Sequence, residues 1–206
     1  MHTEARAALR SNSLYTGLLL AGLGSILFSA KAIVAKLTYQ YGVNALTVLG
    51  FRMLLALPVF LMIAYWQMRK VKAGQLKPLT LKQMFELLVL GFLGYYLASL
   101  LDFMGLERIS ASLERLILFL SPTFVLLLSA VFLRKKILPK QWLALALSYL
   151  GVGLVFVQDL SFSGDDVLLG SFFVLGSALS YSIYLIASGE LIKNIGSTRL
   201  VAYAMS

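Results

Sequence analysis

Apolar runs about as long as a bilayer is thick, repeated along nearly the whole chain, leave few folds open. At about 1.5 Å rise per residue, some 20 apolar residues cross a hydrocarbon core of about 30 Å. Six segments qualify: Leu14–Leu37, Ala45–Met68, Met84–Leu106, Ser110–Leu133, Gln141–Val157 and Val167–Leu191. A seventh begins near Ser197 and reaches Ser206. These runs do not alternate with period two, so they are not membrane strands. Helices are expected, because lipid offers no partner for backbone N–H and C=O groups. Composition follows from the same runs. The chain is 60% hydrophobic and 13% charged, where a soluble domain is roughly half apolar and about a quarter charged. A soluble core of this size could not bury so much apolar surface. The fold class is all-α integral membrane, a helical bundle whose short links make successive spans antiparallel neighbours.

Orientation follows from the basic residues. The tail carries Arg6 and Arg10; the second link carries Arg69, Lys70, Lys72, Lys77 and Lys82; the fourth carries Arg134, Lys135, Lys136 and Lys140. The alternate links hold only Lys36, only Arg108, or the acids Asp159, Asp165 and Asp166. Every second link is basic, which predicts a cytoplasmic N-terminus in the cell's inner membrane. Trp66 and Trp142 fall at the same ends, at headgroup depth. The net charge of +9 is thus explained by topology and calls for no nucleic acid. The first run resembles a signal peptide around Ala30-Lys31-Ala32, but it is long and continues through Ile33-Val34, so retention is expected.

Several chemistries are closed off. There is no cysteine, and the lone histidine is His2 in the tail, so neither a thiolate nor a histidine metal site is available. No phosphate-cradling Gly-Lys-Ser/Thr loop and no His-Glu-x-x-His occurs. No catalytic residue, metal or cofactor is expected, and the chain does not read as an enzyme.

An internal repeat is visible but thin. Gly24-Ser25-Ile26-Leu27 aligns with Gly176-Ser177-Ala178-Leu179, and Gly42 and Leu46 align with Gly196 and Leu200 after a short insertion. The copies lie five spans apart, so the second inserts upside down, as in transporters built from inverted repeats. The chain then divides into a cytoplasmic tail (1–13), a complete five-helix repeat (14–158) and the beginning of an inverted second repeat (167–206).

Charges inside spans are costly and mark function. Lys31 lies ~24 Å from the cytoplasmic end of span one, Arg52 ~10 Å from the outer end of span two, and Asp102 and Glu114 ~6 Å from the outer ends of spans three and four. Two cations and two anions therefore reach similar depth, with Arg115 beside them. They pair across helices to line or gate an outward vestibule, for example Asp102 with Arg52, or they snorkel to the headgroups. Helical spacing places Gly91, Tyr95, Ala98, Asp102 and Gly105 on one stripe of span three, and Gly170, Ser177, Tyr181, Tyr184 and Ser188 on one of span six. The small residues suit helix packing. Tyr95, Tyr181 and Tyr184 are bulky, carry hydroxyls that need partners, and are candidates to touch a substrate. Pro58 and Pro122 each remove an amide donor in mid-span, through a kink or a break at a binding site.

One long stretch carries a family resemblance. Gly94-Tyr95-Tyr96-Leu97-Ala98-Ser99-Leu100-Leu101-Asp102-Phe103 runs on into Gly105-Leu106-Glu107-Arg108-Ile109-Ser110-Ala111. Glu114-Arg115-Leu116-Ile117-Leu118-Phe119 then leads to Pro122-Thr123. With Phe28-Ser29-Ala30-Lys31-Ala32, Lys36-Leu37, Arg52, Trp142 and Gly151-Val152-Gly153, it resembles the EamA-type drug/metabolite transporter superfamily. The resemblance implies ten helices in two inverted five-helix repeats and alternating-access movement of small organic metabolites, often export, coupled to protons or exchange. It points to Lys31, Arg52, Tyr95, Asp102, Glu114 and Pro122 as pathway positions. The family's Gly-Glu-Arg after span four is replaced by Arg134-Lys135-Lys136, and the chain stops about three and a half spans short of ten.

The leading expectation is a secondary transporter of small metabolites, or a fragment of one. A second copy of the chain or a missing C-terminal half would complete its cavity within the lipid bilayer. The alternatives are a non-transporting assembly subunit that completes a bundle with partner helices, and a channel.

Overall fold

A computed structural model describes the backbone of residues 2–134, 137–159 and 165–206, with side chains outside 2–14, 16, 29, 148, 151–159 and 165. The side chains of Arg6, Arg10, Ser29, Val152, Asp159 and Asp165, and all of Lys135 and Lys136, used above for orientation or resemblance, lie outside the described residues. The described chain is helical, with no strand among the described residues. It forms α1 (His2–Tyr39), α2 (Ala45–Lys72), α3 (Leu81–Gly91), a π-helical segment (Phe92–Leu97), α4 (Ala98–Arg108), α5 (Ala111–Leu118), α6 (Ser121–Phe132), α7 (Pro139–Asp159), α8 (Asp165–Ile195) and α9 (Ser197–Ala204). Five stretches among the described residues are long and apolar enough to cross a membrane: Gly17–Tyr39, Ala45–Lys72, Leu81–Arg108, Ala111–Phe132 and Asp166–Ile195. The architecture is an all-α membrane bundle. The expected fifth span falls on α7, and the expected tail is the continuous first part of α1.

Polar caps set the helix starts. Asn44 accepts from Thr47 N–H at 2.9 Å, Ser110 from Leu113 N–H at 3.0 Å, and Thr80 and Gln83 form a reciprocal capping box. Each satisfies donors that a helix start otherwise leaves open, worth about 1 kcal/mol apiece. Gly42 and Gly196 turn the chain at φ of 76° and 83°, where a side chain would be strained.

The core sits on α8. Of its apolar window 39% is buried, against 6% for α2, whose leucines and phenylalanines face outward. α8 packs along span three and on α5 and α6, while α1 and α2 cover the other flank of α4. Glycines permit the closest crossing. A Cβ at Gly105 would stand 2.4 Å from Val174 Cγ2 and 2.7 Å from the Gly170 carbonyl. The sequence correctly reads this as small-residue packing.

The two prolines behave differently. α2 runs through Pro58 without interruption. Span four does break: α5 ends at Leu118, and α6 restarts with Pro122 in its first turn, where no amide donor is needed. Span three holds a break that no proline marks, the six-residue π-helical segment. There the Ala98 N–H reaches back to the Leu93 carbonyl, five residues away. Such bulges recur at functional sites.

Candidate functional site

The intramembrane charges converge. Lys31 Nζ from α1 contacts Asp102 Oδ2 of α4 and stands 3.4 Å from Glu114 Oε1 of α5. Glu114 Oε2 lies 3.2 Å from Arg115 Nε, and Arg115 Nη2 donates to the Phe28 carbonyl of α1 at 2.7 Å. Arg52 of α2 completes the group, donating to Ser99 Oγ at 3.3 Å. Two phenyl rings lie between the cations. Phe103 has Lys31 Nζ at 5.3 Å and the Arg52 guanidinium at 5.7 Å; Phe28 has Lys31 at 5.2 Å and Arg115 at 4.9 Å. Cations over ring faces gain attraction without a counter-ion.

Depth along the helices predicted this meeting, but not its pairing. Asp102 takes Lys31, not Arg52, because α1 and α4 face each other at that level while Arg52 reaches Ser99, one turn earlier on span three. The carboxylates are enclosed by the protein, with Glu114 fully buried and Asp102 5% exposed. The group also remains open. Asp102 Oδ1 and both Glu114 oxygens are buried without a hydrogen-bond partner. Three cations meet two carboxylates, leaving one positive charge in excess.

The tyrosines form a second group about 10 Å along span three. Tyr95 OH and Tyr184 OH are 2.9 Å apart, with their rings edge to face at 5.2 Å. Tyr181 stacks on Tyr184 at 5.7 Å. For Tyr95 and Tyr184, the partner that each hydroxyl was expected to need is the other tyrosine. Tyr184 is buried over Gly94, where a Cβ would lie 2.3 Å from its ring. Serines of α8 extend the seam: Ser177 donates to the Ala98 carbonyl at 2.7 Å and Ser180 to the Leu93 carbonyl at 2.9 Å, beside the π-helical segment. Ser182 Oγ lies 3.2 Å from the Ser121 carbonyl, where span four breaks.

The single stripe predicted for span three is thus divided among neighbours. Gly91 faces Ala204 of α9, Tyr95 and Gly105 face α8, and Asp102 faces α1. Asp102 and Gly105 both follow the π-helical segment, three residues apart in regular α4, and still meet different helices because α1 and α8 pack on different flanks of α4. Pro122 stands in the first turn of α6, and its neighbour Thr123 pairs through Oγ1 with Tyr149 OH at 2.7 Å. Sequence reasoning missed Phe28, Ser99 and Phe103; an aromatic three residues before an intramembrane lysine is a usable signal for the first.

Residues 15–157 match the EamA-like transporter family, which is most of the described bundle and all of the charged group. The chain belongs to that family. This EamA-family chain is 31% identical over 206 residues to the uncharacterized transporter YcbK of Bacillus subtilis (strain 168), covering all of this chain and 64% of the relative. It is 29% identical over 127 residues to the uncharacterized transporter YdfC of the same organism, covering 61% of this chain and 40% of that one. The chain therefore spans less than two thirds of the length of these relatives. No solved structure matches it.

Proposed function

We propose that this EamA-family chain acts, within a protein of its relatives' length or as part of an assembly, as a secondary transporter of small organic metabolites. The Lys31–Asp102–Glu114–Arg115–Arg52 group lies in its pathway. One observation carries the reading: five charges gather inside the apolar bundle, where Asp102 Oδ1 is buried without a hydrogen bond and the two buried Glu114 oxygens are met only by ion pairs to Lys31 and Arg115. Burying ions is expensive, and a group kept for packing alone would satisfy its acceptors. An open, slightly positive group in the membrane instead has capacity for a polar solute. Tyr95, Tyr181, Tyr184 and Pro122 belong to the scaffold beside it, at the helix breaks that alternating access would move.

Export across the inner membrane, with the N-terminus in the cytoplasm, is the direction we favour. The basic links support that orientation. The contact of Arg199 Nη1 with the Lys77 carbonyl at 3.1 Å joins the second link and the α8–α9 corner at one end of the bundle.

The test is survival of cells expressing the full-length protein on a panel of toxic amino-acid, sugar and nucleoside analogues. Expression should raise tolerance to at least one class, and Arg52→Gln should abolish the gain at unchanged membrane abundance. Arg52 is chosen because it makes no ion pair among the described residues and so holds the group's excess charge. Tolerance that survives Arg52→Gln would remove the group from the pathway. No tolerance to any class would favour the assembly-subunit reading.

A further inference from the structure

At one end of the charged group the way is sealed by side chains that only α1, α2 and α4 enclose. Just past Asp102, Phe103 and Leu106 of α4 form one buried cluster with Ala32 and Ala35 of α1 and Ala45 and Leu49 of α2. All six are at most 3% exposed, so no other stretch of chain reaches them unless these helices part. Lys31 and Arg52 lie over the Phe103 ring. The plug therefore begins at the charges and ends about 6 Å farther along α4, at Glu107.

Glu107 ties the plug from its far side. Its Oε1 accepts from the Ala45 N–H of α2 at 2.5 Å, and its Oε2 stands 3.6 Å from Arg108 Nη1. Arg108 lies over the Phe173 ring of α8 at 5.5 Å. Lys36 of α1 is within electrostatic reach of the same carboxylate. Tyr39 of α1 donates to the Phe103 carbonyl at 3.1 Å. α2 does not need Glu107 to start, because Asn44 already caps it, accepting from Thr47 N–H at 2.9 Å. A carboxylate brought to the same helix start from 62 residues away gains from the helix dipole as well as from the hydrogen bond. What it adds is a tie between α2 and α4 across the mouth of the plug. The surfaces under that tie are largely alanine against two large side chains. Alanine offers little apolar area, so they separate at less cost than interlocked large residues would.

We propose that Glu107 is a gating residue. It holds α2 on α4, so that Phe103 and Leu106 close the charged group toward the 40–44 link. Its release from Ala45 opens a path from that face to Asp102 and Lys31, with the Gly42 turn, at φ of 76°, as the pivot. The inference rests on the charged group being a transport pathway, but its test needs no solute.

The experiment is cysteine labelling with a membrane-impermeant thiosulfonate, on vesicles carrying the full-length protein. Residues 1–206 hold no cysteine, and any beyond them are changed to serine. Tyr41→Cys, in the 40–44 link, identifies the face, and the reagent is applied to that face alone. Ser99→Cys, on the charged-group side of the plug, is the reporter. Glu107→Ala should raise its labelling rate about tenfold, the effect of losing a partly buried charge from a helix start. Glu107→Gln keeps an acceptor for the Ala45 N–H and should raise the rate less; it serves as the test if Glu107→Ala does not fold. Val174→Cys, fully buried on α8 in a separate cluster, should stay unlabelled throughout. A Ser99→Cys rate that ignores both Glu107 variants would overturn the gate, even if the protein confers tolerance to an analogue. Val174→Cys labelling in step with Ser99→Cys would make Glu107 a stabiliser of the whole fold and not a gate. A rate that responds without tolerance to any analogue would uphold the gate and count against the transporter reading, so the two fail separately.

Discussion

α1 and α5 meet span three through charge, whereas α8 meets the same span through hydroxyls and glycines. The two flanks handle polar groups in opposite ways. On the α8 side, Ser177, Ser180, Tyr95 and Tyr184 all find partners at 2.7 to 2.9 Å, and glycines bring backbones together. On the α1 side, Asp102 and Glu114 are buried with three carboxylate oxygens that make no hydrogen bond, the two on Glu114 being met only by ion pairs to Lys31 and Arg115. Satisfied polar groups in a dry interface specify packing. Unsatisfied ones need another reason, and that contrast separates scaffold from site along a single span.

The largest effect should come from removing the shared cation. Lys31→Ala leaves Asp102 and Glu114 facing each other in the membrane with only Arg115 beside Glu114. Removing one partner of a buried ion pair typically destabilises by about 3–5 kcal/mol. The midpoint of thermal unfolding in detergent should fall sharply, and Lys31→Ala with Asp102→Asn should recover part of the loss. A single variant as stable as the parent would mean that water fills the group and that the contrast between flanks is one of solvation.

Next in size is the α4–α8 crossing. Gly105→Val would press a branched side chain into Val174 and the Gly170 carbonyl, both closer than a Cβ tolerates. Overpacking of this kind costs about 1–3 kcal/mol, and backbone contact puts this site at the upper end. Gly50 of α2, with nothing within 4 Å, is the control: Gly50→Ala should leave the unfolding midpoint unchanged or slightly raised. If both glycines respond alike, close approach is not what holds α8 in place.

Much of this was readable in the residues, and the failures have identifiable causes. Span positions follow from length and hydropathy, and the shared depth of Lys31, Arg52, Asp102 and Glu114 follows from helical rise. Both quantities run along the helix axis. Which residue meets which depends on rotation about that axis and on the neighbour packed on each flank, and neither the neighbours nor the π-helical turn at Phe92–Leu97 can be read from the spacing. The extra backbone residue there is supported by Ser180 on the Leu93 carbonyl and by Tyr184 over Gly94, contacts from 87 or more residues away. Nothing local marks it as Pro122 marks the break in span four. Pro58 shows the converse, a local signal that the surrounding helix absorbs. Arg199 escaped notice because it follows Gly196 at the start of an apolar segment, where an arginine reads as an ordinary interfacial anchor.

The smallest effect should come from the tyrosine pair, and it is the sharpest test of the division. Tyr95→Phe deletes one hydroxyl and leaves the edge-to-face packing on Tyr184 intact. Side-chain hydrogen bonds between membrane helices average about 0.6 kcal/mol. The unfolding midpoint should therefore fall by only a degree or so, far less than for Lys31→Ala. Tolerance to whichever analogue the protein handles should persist, because on this reading the hydroxyl serves α8 and not the solute. A Tyr95→Phe chain that stays folded yet loses tolerance as completely as Arg52→Gln would join the two flanks into one site. The satisfied pair would then be a resting contact that a solute displaces, and hydrogen-bond satisfaction would no longer separate scaffold from pathway in span three.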